Sequence, residues 1–430
     1  MKKSIAVGAN AQEKVVRYAS ELLQEMGLNE KGQITTRGLL FPFADVRLRI
    51  IASGMDLKPL TRDDLVMSLL TETLFDLRRQ EITSVDWPTL EKAISDHLDK
   101  RAAQPVVTYR ILFPLNLKGP WISQLKSINV LSLKFKKWSW IQVQKFSGWK
   151  DLQESVQRHF GPRPEFWDLL FLGSCTPLIV KAQGRTDQEA FEEANTRFDL
   201  VRALINLVMR RGISYQFGGK ASPLGYCFPP AFYGVFKLDG SFQAHYYNTE
   251  EYRYSEKNLV VPGGQTVKAM LARVHRMKKD IQELAVDMLI KYSRATGTAE
   301  WHAAFLSLWQ ILETFVRPTG EEMKFKDVAR GINSFLGPDP LRQDVLETME
   351  TSRHNLVHYG KFSTAGSTEV SYLKIIVEMV ILKLLRNPRM FDSRGELREF
   401  LQHSSLGSSS LRTREKVISR ILHSRTQKPS

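Results

Sequence analysis

A chain of 430 residues is too long for one ordinary hydrophobic core, so its length predicts two or three domains. The hydrophobic content of 43% and the charged content of 25% are ordinary globular values, which excludes a chain that is disordered throughout. The 61 lysines and arginines against 46 acidic residues give a formal net charge of +15, which favours a polyanionic partner such as nucleic acid or an anionic membrane surface.

Residues 1–104 are predicted to be mainly helical. Apolar residues recur at helical spacing between Val15 and Met26, and again from Leu65 to Leu77. The second of these helices is opened by Thr61, followed by acidic residues that complement a helix N-terminus. A third helix is predicted from Pro88 to Leu98.

Residues 105–263 are predicted to form an α+β domain, which we interpret as a sensor or substrate-selecting region. Val106–Phe113 and the alternating segment Ile128–Phe135 are typical of strands, as is Leu178–Val180. A helix is expected from Thr186 to Met209. Asp239-Gly240 separates two further strand-like runs and predicts a hairpin, because such turns need the positive φ that glycine permits.

Residues 264–387 are predicted to be entirely helical, and residues 388–430 to form a polar, basic C-terminal tail. The fold class expected for the whole chain is therefore α+β, with a mixed helical and α+β N-terminal region followed by an all-α bundle. The expected helices are Val267–Tyr292, Ala299–Val316, Phe325–Phe335, Leu341–Met349 and Val370–Leu385.

The two cysteines, Cys175 and Cys227, are far apart in the sequence and lie in no CxxC pair. Neither a disulfide framework nor a cysteine-based zinc site is expected, and a reducing compartment is favoured. The N-terminal segment lacks the apolar stretch of a signal peptide, and no run of 18 apolar residues occurs. We therefore expect a cytoplasmic protein without a membrane partner.

The main candidate site is the cluster Arg353-His354-Asn355-Leu356-Val357-His358. Arginine offers a permanent charge and a donor fork that suits phosphate, and histidine can move protons near neutral pH. Cleavage of RNA by its own 2′-hydroxyl needs proton transfer and stabilisation of a phosphorane, and it needs no metal. The residue types thus point to a ribonuclease centre.

The spacing of arginine and histidine is weak evidence by itself, because chance gives about one Arg-x4-His match in a chain of this composition. Arg398 and His403 have the same spacing. Arg398 is followed by an acidic residue and lies at the edge of the polar tail, whereas Arg353 is followed by the polar pair His354-Asn355 between two apolar helices. Context therefore favours Arg353 and His358.

On the basis of Arg353–His358 and its flanking helices, the segment 298–386 resembles a HEPN domain, in particular the subset grouped as Apea-like, found in bacterial defence proteins. The family signature is an arginine, a polar residue, a few more residues and a histidine, and Arg353–His358 fits it without a gap. The helix around Phe305–Glu313 resembles the second helix of the family, whose acidic residue lies near the arginine. Glu313 would be that residue.

This resemblance implies a metal-independent endoribonuclease without a cofactor, in an anti-phage or toxin-like role and held inactive until a trigger or partner protein releases it. It implies RNA as substrate and a homodimer formed through the helical domain, with the two motifs facing each other. The catalytic set would be Arg353, His358, His354, Asn355 and Glu313. Helix geometry agrees, since five residues separate Arg353 and His358 by about 140° around an ideal helix. They can converge only if Arg353 lies in or before the first turn, or if a second protomer completes the site.

Two alternatives use the same residues differently. His354 and His358 share a helix face at i and i+4 and could bind zinc, but no third ligand is evident in the sequence nearby. Alternatively, Arg353 and Glu313 form a structural ion pair, and the chain is a non-catalytic dimerising adaptor.

A second feature interleaves lysines with tryptophans between positions 134 and 150. Such rings can stack on bases while the lysines neutralise phosphates, which would make the chain an RNA- or DNA-binding regulator. An ordinary half-buried sheet has the same alternation. The candidate nucleic-acid-binding residues are Lys134, Lys136, Lys137, Trp138, Trp140 and Lys145, followed by Trp149 and Lys150.

Overall fold

A computed structural model describes residues 9–28, 34–36, 47–48, 50–52, 63–115, 127–161, 175–209, 224–227, 229–247, 264–298, 300–317, 326–359 and 366–403, with positions 410, 412, 415–417 and 419. Thr61, the expected boundary at Pro262-Gly263 and most of the basic end lie outside these residues. The chain divides into two compact units, residues 1–107 with 183–189, and residues 108–182 with 190–430.

The described residues of the first unit include three long helices and a short hairpin. They are α1 (Ala9–Glu25), α2 (Asp63–Arg79) and α3 (Trp87–Ala103), with β1 (Met26–Leu28) antiparallel to β2 (Ile34–Thr36). Helix α3 begins where the Asp86 side chain accepts a hydrogen bond from the Thr89 N–H at 3.0 Å, and that bond lowers the pKa of Asp86. The apolar stripes of the three helices form one core, as the sequence predicted.

The second unit contains a six-stranded sheet in the order β4-β5-β6-β3-β7-β8. The hairpin at Asp239-Gly240 is confirmed, with Gly240 at φ 89°. The alternating segment Ile128–Phe135 is not one strand, because Leu131 adopts φ 52° and starts a tight turn that alternation alone does not reveal. The strands are β3 (Val107–Leu115), β4 (Ser127–Val130), β5 (Leu133–Lys137), β6 (Thr176–Gly184), β7 (Phe232–Lys237) and β8 (Phe242–Tyr247).

Among the described residues, three helices accompany the sheet, namely α4 (Trp140–Val143), α5 (Trp149–Phe160) and α6 (Asp187–Met209). Helix α6 packs on the sheet through an aromatic cluster in which the rings of Phe113 and Phe198 are 4.5 Å apart. Phe135 and Tyr233 meet Phe113 edge to face. Helix α6 is thus fixed to strands β3, β5 and β7.

The segment after position 264 is helical, as expected, and its apolar side chains share one hydrophobic cluster with the sheet. The long helix predicted over Val267–Tyr292 is interrupted between His275 and Lys279. The helices are α7 (Gly264–His275), α8 (Lys279–Gly297), α9 (Trp301–Val316), α10 (Lys326–Leu336), α11 (Pro340–Tyr359), α12 (Gly366–Arg386) and α13 (Arg394–His403). In the described segments, none of the helices has the length and apolar character that crossing a bilayer requires.

The segment that the sequence suggested to be a polar tail begins with structure of its own. Phe391 is buried, and helix α13 buries Leu397 and Leu401 in the same hydrophobic cluster. Most of the residues around these apolar side chains are polar, so composition hides the short amphipathic helix. The first part of the tail therefore belongs to the folded second unit.

A buried polar network centres on α6. The Arg202 guanidinium donates to Asp199 at 2.5 Å, and both side chains are almost fully buried. Arg294 of α8 reaches the second oxygen of Asp199 at 3.1 Å. Burial lowers the pKa of Arg202, but the charge and hydrogen bond of Asp199, together with smaller contributions from Tyr233 and Cys227, outweigh burial and the pKa is raised. One carboxylate thus holds two arginines from two helices.

Removing this carboxylate is expected to destabilise the protein strongly. Asp199→Asn leaves Arg202 buried without a counter-charge, so the unfolding free energy should fall by about 3–5 kcal/mol. The matched control is Asp287→Asn, which removes an exposed carboxylate paired with Lys291 and should change it by less than about 1 kcal/mol. Urea denaturation of both variants checks the difference, and equal losses would contradict it.

Candidate functional site

The motif Arg353–His358 lies inside helix α11, not between two helices as the sequence suggested. The helix predicted over Leu341–Met349 continues to Tyr359, because no glycine or proline interrupts the sequence before Gly360. Arg353 is therefore far from the first turn of α11. Of the two ways in which Arg353 and His358 could converge, placement of the arginine at the helix start is excluded.

Glu313 and Arg353 come together although forty positions separate them in the sequence. Glu313 is in the last turn of α9, and its Oε1 lies 3.5 Å from Nη2 of Arg353. The same oxygen accepts a hydrogen bond from Nε1 of the buried Trp309 at 3.0 Å. About a fifth of each charged side chain remains exposed, so this ion pair lies at the edge of the core. Trp309 thus fixes the carboxylate that orients Arg353.

The two histidines of the motif form a pair on the outer surface of α11. The ring centroids of His354 and His358 are 4.4 Å apart, and both side chains are exposed. Asn355 beside them is also exposed. Two groups that can carry protons therefore face solvent within a turn of an oriented arginine.

The C-terminal half of α11 is poorly covered by the rest of the chain. Leu346 and Met349 are buried, whereas no side chain between Thr351 and His358 is. Val357 in this stretch is 49% exposed. The half of α11 that carries the two histidines is therefore open to solvent.

The described residues contain no group of three His, Cys, Asp or Glu side chains arranged to hold a metal ion. The rejected pair Arg398 and His403 lies on α13, where His403 Nε2 is 3.2 Å from the Glu399 carboxylate. Its spacing matches that of Arg353 and His358, but an acidic side chain already engages the histidine.

The lysine and tryptophan stretch separates into two faces. The tryptophan rings join a hydrophobic cluster, where Trp138 meets Phe146 edge to face and Trp140 lies 6.1 Å from Trp149. Trp140 Nε1 also donates to the Cys175 carbonyl at 3.1 Å. The tryptophans are thus engaged in packing. The lysines, by contrast, face solvent: Lys134, Lys136, Lys145 and Lys150 are exposed and Lys137 is half-buried.

Sequence reasoning missed a cluster at the sheet edge. Ser155 Oγ of α5 lies 3.0 Å from Nδ1 of His245 on β8, and the centroids of the His159 and Tyr247 rings are 3.6 Å apart, with the ring planes tilted by 33°. Burial lowers the pKa of His245, and the nearby His159 and Arg158 lower it further. The Nε2 atom of His245 is buried without a hydrogen-bond partner among the described residues, so no acid orients the ring as a Ser-His-Asp triad requires.

Comparisons of this chain with protein-family models, with curated proteins and with solved structures gave no significant match.

The packing of the tryptophans predicts that replacing a tryptophan destabilises the protein more than replacing the exposed lysines. Trp140→Ala should lower the unfolding free energy by about 2 kcal/mol, because it removes ring contacts and a hydrogen bond. Lys134→Gln with Lys136→Gln should change it by less than about 1 kcal/mol, since both side chains are exposed. Chemical denaturation measures both. A stable Trp140→Ala protein would contradict the packing role.

The lowered pKa of His245 predicts a pH effect on stability. The unfolded chain binds a proton at His245 more readily than the folded protein, so stability is lost as pH falls below about 6.5. His245→Gln should make the melting temperature less sensitive to pH between 7.5 and 5. A thermal melt series at constant ionic strength checks this, and identical pH profiles for both proteins would refute it.

Proposed function

We propose that this chain is a HEPN-type endoribonuclease that cleaves RNA by attack of the 2′-hydroxyl on the adjacent phosphate. The observation that carries the proposal is the placement of Arg353 against Glu313 and Trp309, with His354 and His358 exposed on the same helix. Glu313 was picked from the sequence as the acidic residue that the resemblance places near Arg353, and the 3.5 Å between them supports the proposal.

The roles follow from the chemistry of each side chain. Arg353 supplies N–H donors to the phosphorane, whose extra negative charge develops only in the transition state. His358 transfers the proton between the 2′-hydroxyl and the leaving oxygen, and His354 and Asn355 position the strand. Glu313 orients the guanidinium, whose five donors exceed what a single carboxylate oxygen accepts. The scheme needs no metal ion.

The proposal includes a homodimer. Arg353 and His358 point about 140° apart around a continuous helix, so one copy of α11 does not direct both at the same phosphate. The uncovered stretch from Thr351 to His358 offers the surface through which a second copy would bring its own motif opposite the first. In this arrangement each phosphate meets the arginine of one protomer and the histidine of its partner.

The remaining features fit an RNA-directed enzyme under control. The net charge of +15 favours a polyanionic substrate, and the exposed lysines of β5 extend the basic surface. The first unit and the sheet would sense a trigger or select the substrate, in a bacterial defence or toxin-like role.

One observation favours a second function. Because the Glu313 carboxylate contacts both Trp309 and Arg353, the ion pair could serve only to fasten α11 to α9. The chain would then be a dimerising adaptor without nuclease activity.

The first test compares the motif Arg353–His358 with the pair Arg398 and His403, which has the same spacing. Arg353→Ala and His358→Ala should each lower RNA cleavage at least about 100-fold, because they remove charge stabilisation or proton transfer. Arg398→Ala with His403→Ala, which removes the same residue types at the same spacing, should retain activity. Cleavage of total RNA in EDTA is measured by gel and by the appearance of cyclic phosphate ends.

Folding of each variant is checked by its melting temperature. The nuclease proposal would be refuted if wild-type protein cleaved no RNA with its trigger supplied, or if the Arg353 and His358 variants were as active as the Arg398 and His403 variant. Either result would favour the adaptor.

The second test addresses the shared site by complementation. Mixing inactive Arg353→Ala with inactive His358→Ala and allowing subunits to exchange forms mixed dimers in which one of the two composite sites is intact. Random exchange makes half of the dimers mixed, so activity should recover to about a quarter of wild type. If both residues act within one protomer, the mixture stays inactive.

A further inference from the structure

A second basic site lies in the helical part of the chain, apart from the residues of the α11 motif. It is a pocket of about 700 Å³ lined by Arg276, Lys383, Asn387, Pro388, Arg389 and Met390. Among the described residues, the lining includes three cationic side chains and no acidic one. Pockets that hold small ligands have volumes of about 300–1,000 Å³, so the size suits such a ligand.

The three cations come from two places in the fold. Arg276 follows the end of α7, and its Nε donates to the Ala272 carbonyl at 3.3 Å, which directs the side chain along the helix end. Lys383 is in the last turn of α12, and Arg389 follows that helix. Arg276 and Arg389 are exposed, so their charges meet the open side of the pocket.

Lys383 is fixed more firmly than the arginines. Its ammonium lies 5.0 Å from the centre of the Phe335 ring and donates to the Phe335 carbonyl. An ammonium has three donors, so this bond holds the charge in the pocket wall without using all of them. The side chain is half-buried, and an anion beside it would be screened less by solvent than at an open surface.

The rest of the wall is apolar or neutral. Pro388 and Met390 are half-buried and offer surface on which a ring can pack. Asn387 anchors the turn by donating from Nδ2 to the Lys383 carbonyl at 2.9 Å, and Met390 N–H donates to the Asn387 carbonyl at 3.0 Å. The turn that carries Arg389 is thereby held in place before any ligand binds.

We propose that this pocket binds a small phosphorylated ligand of nucleotide size. Its phosphates would lie against Arg276, Lys383 and Arg389, and its uncharged ring against Pro388 and Met390. Three cations around one pocket favour a ligand whose negative charges lie close together, as they do in a polyphosphate. An RNA strand instead spaces its phosphates along a groove. The proposal does not depend on the ribonuclease centre and shares no residue with it.

The test measures binding of ATP to the full-length protein by titration calorimetry, without added metal. The pocket variant is Arg276→Gln with Arg389→Gln. The matched control is Lys268→Gln with Arg386→Gln, which removes one exposed charge near each of the same two helices but none from the pocket. Melting temperatures establish that both variants are folded.

We expect wild type and the control to bind one ATP per chain, and the pocket variant to bind ATP at least about 10-fold more weakly. Adenosine should not bind measurably to any of the three proteins. Affinity should fall as salt is raised, because the contacts are ionic. No ATP binding by wild type, or equal losses in both variants, would overturn the proposal. A short RNA that requires the pocket arginines while ATP does not bind would also overturn it, by identifying a polynucleotide groove.

Discussion

Asp199 is the charged group on which the second unit depends, because it is buried on α6 between two arginines. Arg202 of the same helix and Arg294 of α8 share its carboxylate. About one turn after Arg202 on α6, the Asn206 amide accepts hydrogen bonds from the Tyr226 and Cys227 N–H groups and donates to Thr296 of α8. A buried charge is tolerated only where its partners are fixed. Helix α6 therefore has one position relative to α8 and to the segment 224–227.

Close packing maintains this network. Gly225 donates to the Thr296 carbonyl at 2.8 Å, and a Cβ at this position would come within 2.6 Å of the Asn206 side chain. Burial raises the pKa of Cys227 to about 12, so its thiol stays protonated. With α8 fixed in this way, α9 packs on α8 and presents Glu313 at its far end. The proposed catalytic arginine is thus oriented by a chain of contacts that begins in the polar network of α6.

Helix α11 contrasts with this rigid part. Leu346 and Met349 fix its first half in the core, whereas the half that carries His354 and His358 is open to solvent. If His354 and His358 were buried, a substrate could not reach them. Because this half of α11 is exposed instead, it contributes less to stability through burial of apolar surface. A second copy of the chain, or a bound RNA, would restore part of that packing. The proposed dimer and the proposed activity therefore rest on the same exposed surface.

Much of the local structure could be predicted from the sequence because local rules decide it. The hairpin at Asp239-Gly240 and the apolar faces of the helices follow from turn residues and from the periodicity of apolar residues. The turn at Leu131 could not, since no glycine or proline marks it. The extension of α11 to Tyr359 was missed although the sequence holds its signal, the absence of a helix breaker before Gly360. For the candidate site, the sequence by itself determined which residue types are present and at what spacing, whereas the position of Arg353 deep inside α11, which makes it diverge from His358, came from the structure. Only the tertiary structure decided that Glu313 meets Arg353, that the tryptophans pack inward and that three cations surround one pocket, because contacts between distant segments depend on how whole helices pack.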